Sequence, residues 1–245
     1  MIIDKTFKGG IFAKGNVRLI YDKNAFNINI DERIISNIWN EEKKRLGDGL
    51  FDGQLFCGGK IEYDDSNILI YGSFLPYRYI VARMRKGIFK EDILPLGVSG
   101  ITITNENGKK FVVFAKRAAN SFLDAGLIEL VPSGGIDREC LNDDGTFDIE
   151  KMLIKEFDEE TGINSSEINK ISGWTIIYDE SWGTLELCAE ININCKIQEV
   201  IDSISKSKEY SSPVCIDYRN LAQFLNENKH RMVRTSYYLA SEIKL

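Results

Sequence analysis

The sequence predicts a fold that mixes α and β structure, and three observations carry that expectation. Stretches of strand length with alternating or β-rich character recur along the chain, as in Val17-Arg18-Leu19-Ile20-Tyr21 and Lys110 to Lys116. Asn107-Gly108 lies between two such stretches, the residue pair that a two-residue hairpin turn requires. Ile149, Met152, Leu153 and Phe157 follow helical spacing up to Gly162, a residue suited to the left-handed conformation that stops helices. Periodicity supports mixed α and β structure and no narrower class.

In chain order, residues 1 to 30 alternate in a strand-like way. Strands are expected at Ile11-Phe12, Val17 to Tyr21 and Phe26 to Ile30, with turns at Gly9-Gly10 and Asp22-Lys23-Asn24. Asp31 is the expected N-cap of a helix that places Ile34, Ile35, Ile38 and Trp39 towards a core and closes near Gly47-Asp48-Gly49. Phe51 to Ile61 and Asn67 to Tyr71 read as a strand pair joined through Asp64-Asp65, and Tyr77 to Arg85 as a short helix or loop. Leu94-Pro95-Leu96-Gly97 is taken as a boundary, dividing an α+β extension (1–92) from a second domain (93–245). That domain begins with the hairpin Gly97–Thr104 and Lys110–Lys116, then a strand from Leu127 to Val131 and the pair Gly134-Gly135. After the helix ending at Gly162, strands are expected at Gly173–Tyr178 and Thr184–Asn194. A polar loop follows at Ser203–Ser212, a strand at Val214–Tyr218 and a helix from Arg219.

At 245 residues, with 43% hydrophobic and 28% charged residues, the chain has the make-up of a folded protein with a substantial core. A net charge of −6 argues against broad electrostatic binding to nucleic acid or to an anionic membrane. No signal-peptide pattern or membrane-length apolar run is present. Five widely spaced cysteines without a C-x-x-C pair read as reduced thiols, which points to a cytoplasmic protein. The one histidine, His230, lies between Lys229 and Arg231 and reads as solvated, so no zinc site is expected.

The chemistry is concentrated in Lys155-Glu156-Phe157-Asp158-Glu159-Glu160-Thr161-Gly162-Ile163. At roughly 100° per residue, Glu156, Glu159 and Glu160 share the side of the helix that carries the apolar positions. Three carboxylates on a partly buried face, near the negative end of a helix dipole, call for a counter-charge. A hard divalent cation with oxygen ligands supplies it.

These residues, together with Gly135, resemble the box of the Nudix hydrolase family, G-x5-E-x7-R-E-U-x-E-E-x-G-U, where U is bulky and aliphatic. Lys155 stands where the family has arginine. Twenty positions separate Gly135 from Lys155 where the motif has fourteen, which places an insertion in Cys140 to Phe147, around Asn142-Asp143-Asp144-Gly145. Glu139 is the candidate for the box's first glutamate. The resemblance implies an α/β/α sandwich with a mixed sheet. It also implies Mg2+ or Mn2+ held by Glu156, Glu159, Glu160 and the Gly135 carbonyl, and hydrolysis of a nucleoside diphosphate linked to a second group. Glu209, with Glu180 as its rival, is the candidate for a further carboxylate from a later loop.

Cations that would hold phosphate are Arg78, Arg83, Lys116 and Arg117, and the aromatics Tyr77, Trp174, Tyr178 and Trp182 would line a base or sugar pocket. Scattered positions (Trp39, Leu50-Phe51-Asp52-Gly53, Phe56, Tyr77-Arg78 and Leu94 to Ile101) resemble the N-terminal part of uridine diphosphate glucose pyrophosphatase-like members, which points to a nucleotide sugar. Residues 1–92 are read as a lid, a specificity element or a homodimer surface. The competing readings are hydrolysis of ADP-ribose, a dinucleotide or a nucleoside triphosphate, and a Nudix-fold module that binds nucleotide without cleaving it.

Overall fold

The computed structural model describes residues 9–47, 50–63, 67–88 and 93–243. Around residues 93–135 the chain builds the centre of the molecule. Strand β5 (Leu94–Glu106) turns through Asn107 and Gly108, both at positive φ (52° and 70°), into β6 (Lys109–Arg117). That is the geometry the Asn-Gly pair favours. Leu94-Pro95-Leu96-Gly97, read as a boundary, is instead the start of this central strand. Short strands β7 (Ile128–Leu130) and β8 (Ser133–Gly135) follow, with a cis peptide at Val131–Pro132 between them.

Helix α3 (Ile149–Thr161) is capped by Asp148, whose side chain accepts the Lys151 N–H, and ends at Gly162 in the left-handed conformation. Strands β9 (Ile168–Asp179) and β10 (Thr184–Ile193), helix α4 (Ile197–Ile204), strand β11 (Tyr210–Asp217) and helices α5 (Tyr218–Asn228) and α6 (Arg234–Ser241) complete this part. Helix α4 occupies the start of what reads in sequence as a polar loop from Ser203. Its amphipathic stripe, Val200 and Ile204, is only two buried residues long.

The N-terminal segment contributes β1 (Gly10–Lys14), β2 (Asn16–Tyr21), α1 (Glu32–Leu46), β3 (Gln54–Tyr63), β4 (Asn67–Pro76) and α2 (Tyr77–Lys86). These strands join the central sheet, whose path runs β1-β9-β10-β5-β3-β4-β2. β10 lies parallel to β5, β1 antiparallel to β9, and β3 meets β5 at Cys57–Pro95 and Gly58–Leu94. Asp31 caps α1 as expected, but Ile34 is 46% exposed while Ile35 and Ile38 are buried. Phe26 to Ile30 forms no strand. Its alternation serves packing without a ladder partner, with Phe26 and Ile28 against Cys57, Ile80 and Ile93, and Ile30 against the α1–α2 cluster.

The sheet lies between helices, which is the α/β/α arrangement. Met152, Leu153 and Phe157 of α3 and Val200 and Ile204 of α4 pack with Leu96, Val98 and Leu187 on one face. Leu221 and Leu225 of α5 and Leu239 and Ala240 of α6 pack with Ile101, Ile103 and Ile177 on the other. The five cysteines are unpaired thiols. Among the described residues no helix is long and apolar enough to cross a membrane.

Candidate active site

The register of β8 on β5 shapes the centre of the site. Pro132 O accepts the Gly100 N–H and Ile136 N–H donates to Leu96 O, so the alternation of an antiparallel ladder turns the Ser133 and Gly135 peptide groups away from β5. Helix α3 lies on that side. Ser133 N–H donates to Glu160 Oε2 at 2.7 Å, and the Tyr210 hydroxyl donates to the same oxygen at 2.8 Å. Gly134 faces Glu156 so closely that a Cβ there would strike its carboxylate. Glycine is needed at 134 for this contact rather than for its φ.

The three helix acids differ in depth. Glu160 is 3% exposed, Glu156 half-buried and Glu159 exposed. Glu159 therefore departs from the expectation of an inward trio. At roughly 100° per residue it sits at the edge of the arc set by Met152, Leu153 and Phe157, whereas Glu160 sits near its middle. Burial, and then the charges of Glu129 and Glu156, hold Glu160 well above the usual carboxylate range. Burial and the Glu159 charge push Glu156 up to about 8. Lys155 Nζ bridges Asp137 (2.7 Å) and Glu139 (3.0 Å). Burial works against its ammonium, but these two bonds outweigh it and raise its pKa.

Two connected spaces open on this centre. The outer cleft, of about 720 Å3, is walled by acids from four places: Glu156 and Glu160, Asp137 and Glu139, Asp52, and Glu209. Arg138 is the one cation that lines it among the described residues, with its guanidinium over the rings of Phe74 (5.5 Å) and Tyr21 (6.0 Å) and no carboxylate partner. Phe51, 81% exposed, stands at the rim. The inner cavity, of about 180 Å3, shares Leu55, Tyr77, Ser133, Gly134 and Gly135 with the cleft and runs on to Asp124, Asp179, Trp182 and Glu186.

The other residues singled out in sequence fall as follows. Arg117 reaches the inner cavity, but its guanidinium is held by Glu129 in a two-pronged pair at 2.7 and 2.8 Å and by Leu123 O. Arg78 is paired with Asp52 at 2.8 Å, and Lys116 is exposed on β6 opposite Ser211; neither lines the cleft. Glu209 lies on the cleft and adds to the upward shift of Glu156. Its rival Glu180 is paired with Arg234, outside the cleft. Tyr77 and Trp182 line the inner cavity, while Trp174 and Tyr178 pack against the core. His230 is exposed.

Sequence reasoning missed Arg138, Tyr210 and the buried acids Glu129 and Glu186. Isolated arginines and tyrosines carry no spacing signal. The alternation of β7 and β10 would mark Glu129 and Glu186 as inward-facing only once strand register is known.

Among the described residues no three His, Cys, Asp or Glu side chains stand together as a ready cation cage. The donor set does suit a hard cation: the Glu156 charge adds to the upward shift of Glu160, Glu159 and Glu209 add to that of Glu156, and the β8 ladder turns the Ser133 and Gly135 peptide groups away from β5, on the side of α3.

No family model matches this chain, and no curated protein matches it. Among solved structures it is similar to Tm1382, a putative Nudix hydrolase, at 14% identity over 84% of this chain and 93% of that one, with a TM-score of 0.45. It is similar to the Nudix domain of Shewanella oneidensis NrtR complexed with ADP ribose, at 18% identity over 59% and 80%, TM-score 0.39. A putative Nudix hydrolase from Listeria monocytogenes gives 16% identity over 60% and 88%, TM-score 0.36.

Proposed function

We propose that this chain is a Nudix-type pyrophosphohydrolase. It would split the diphosphate of a nucleoside diphosphate derivative, with a nucleotide sugar as the favoured class, into a nucleoside monophosphate and a phosphorylated second group. The observation that carries this reading is Glu160, a carboxylate buried in the apolar arc of α3 beside Glu156 and against the β8 glycine pair. Burying two like charges together is unfavourable without a cation.

Glu156, Glu160 and Glu159, with the Gly135 carbonyl, would hold Mg2+ or Mn2+, and Glu209 would add a ligand from across the cleft. The ion, when bound, supplies the charge that offsets the diphosphate and acidifies a water. One of the three glutamates takes that water's proton. Ser133 N–H and the Tyr210 hydroxyl fix Glu160 Oε2 and leave Oε1 for the ion. Lys155, tied to Asp137 and Glu139, fixes the turn after β8 against α3 and keeps the positive charge with which the family's arginine orients a neighbouring glutamate. Arg138 takes the phosphate-holding role that the sequence assigned to Arg78, Arg83, Lys116 and Arg117, because among the described residues it is the cation that lines the cleft, and its guanidinium has ring contacts but no carboxylate partner.

The test is a panel of nucleotide sugars, ADP-ribose, dinucleotides and nucleoside triphosphates, incubated with Mg2+ or Mn2+ and assayed for phosphate-bearing products. Glu160→Gln keeps an acceptor for Ser133 and Tyr210, so it should hold its melting temperature and lose turnover. Hydrolysis by Glu160→Gln at the wild-type rate would remove Glu160 from the chemistry, and wild-type protein that binds but never cleaves would make this a sensing module.

A further inference from the structure

The inner cavity adjoins the candidate ion site at Gly135, and its walls define what it accepts. It shares Leu55, Tyr77, Ser133, Gly134 and Gly135 with the cleft, which sets it beside the candidate diphosphate site. Leu55, Ile80, Met84 and Leu123 give it apolar patches, and its polar lining sets four carboxylates beside the donors Tyr77, Arg117, Trp182, Thr184 and Thr235. Asp124, Glu129, Asp179 and Glu186 arrive from four different segments. The cation beside them, Arg117, is spent on Glu129. Asp179 is 3% exposed, and among the described residues it accepts one side-chain bond, from Ser181 N–H to Oδ1; its second oxygen has no donor. Glu186 accepts from the Ser99 hydroxyl at Oε2 and from nothing at Oε1 among the described residues.

Helix α2 of the N-terminal segment braces one wall. Arg83, 4% exposed, donates to the carbonyls of Trp182 (2.6 Å) and Gly183 (3.1 Å). Trp182 in turn donates its indole N–H to Asp124 at 3.2 Å. At about 180 Å3 the space is below the usual range for drug-sized ligands, roughly 300–1,000 Å3, and suits a single ring.

We propose that the inner cavity seats the non-phosphate end of the substrate and selects a neutral or amino-bearing polyhydroxylated ring while rejecting an anionic one. This rests on the hydrolase reading above. Hydroxyl or ammonium donors satisfy Asp179 and Asp124 at once, whereas a carboxylate-bearing ring brings a like charge beside those acids, and the one cation that lines the cavity among the described residues, Arg117, is paired with Glu129.

The experiment compares nucleoside diphosphate glucose, its 2-amino analogue and the matching glucuronic acid, each in uridine and adenosine series, on the full chain with Mg2+ or Mn2+. The expected result is a kcat/KM at least about tenfold higher for the neutral and amino sugars than for the uronate, a like-charge penalty of about 1.4 kcal/mol, carried mainly by KM. Asp124→Asn, whose left-handed backbone (φ 51°) suits asparagine, and Asp179→Asn, which keeps an acceptor for the Ser181 N–H, should each narrow that gap.

Equal or better cleavage of the uronate overturns the proposal and leaves the hydrolase reading standing, and so does a gap that neither variant narrows. If none of these sugars is cleaved, the wider nucleotide panel decides the hydrolase reading and the melting temperature decides the cavity. A larger shift with the neutral sugar than with the uronate then supports the assignment, and equal shifts overturn it.

Discussion

The outer cleft and the inner cavity are both walled by carboxylates, yet they solve the charge problem in opposite ways. In the cleft the acids come chiefly from one helix and one turn, stand at graded depth from exposed Glu139 through half-buried Glu156 to buried Glu160, and leave Arg138 without a carboxylate partner. In the cavity they come from separate strands and loops, and the one guanidinium among them is consumed by Glu129. A cleft of the first kind has room for a cation to enter and for a phosphate to follow it. A cavity of the second kind presents fixed acceptors and asks for donors. Like composition therefore does not mean like function; what decides is which positive groups remain uncommitted.

The largest effect should come from the cleft. Glu160→Gln is expected to lower turnover roughly 10²–10⁴-fold while thermal unfolding stays within a degree or two of wild type. Next is the cavity's internal pair. Arg117→Met leaves Glu129, 1% exposed, without its partner, at a cost of about 3–5 kcal/mol in urea unfolding. The double variant Arg117→Met/Glu129→Met should recover most of that, and no recovery would mean that the arginine acts on something besides Glu129.

Arg138→Ala should raise KM about tenfold, or about 1.4 kcal/mol, with kcat nearly unchanged. A normal KM would leave the cleft's phosphate without a named cation.

The smallest effect concerns pH. Burial, and then the Glu129 and Asp179 charges, push Glu186 up to about 8, so between the ordinary carboxylate range and that value the folded protein keeps a proton that the unfolded chain has lost. Its contribution to stability therefore falls as pH rises through that window. Glu186→Gln should remove this loss and stabilise the protein at pH 8 by about 1 kcal/mol, roughly 2–4 °C in Tm, with little change at pH 5.

Local chemistry was legible in the sequence, and long-range pairing was not. Asn107-Gly108, Asp31 and Gly162 each dictate a backbone conformation within a few residues, and all three hold in the structure. The acidic helix was readable because its spacing is a wheel. The wheel also overreached, since a position at the edge of an apolar arc, like Glu159, can turn to solvent. Phe26 to Ile30 shows the converse limit: alternation announces a buried side but not a neighbouring strand. Helix α6 left no clear signal because Tyr237 and Tyr238 suit strand as well as helix. The inner cavity was illegible for the same reason, since it exists only where β7, β10 and α2 meet across more than a hundred residues of chain.

The pairing of β1 with β9, Gly10 opposite Tyr178 and Lys14 opposite Thr175, bears on how the protein is made. During synthesis the early segment waits, unable to close its ladder, until the chain has been made as far as Tyr178. Shortened versions that begin after β1 would lay bare the rim of β9, an invitation to sticking between copies that β1 hides.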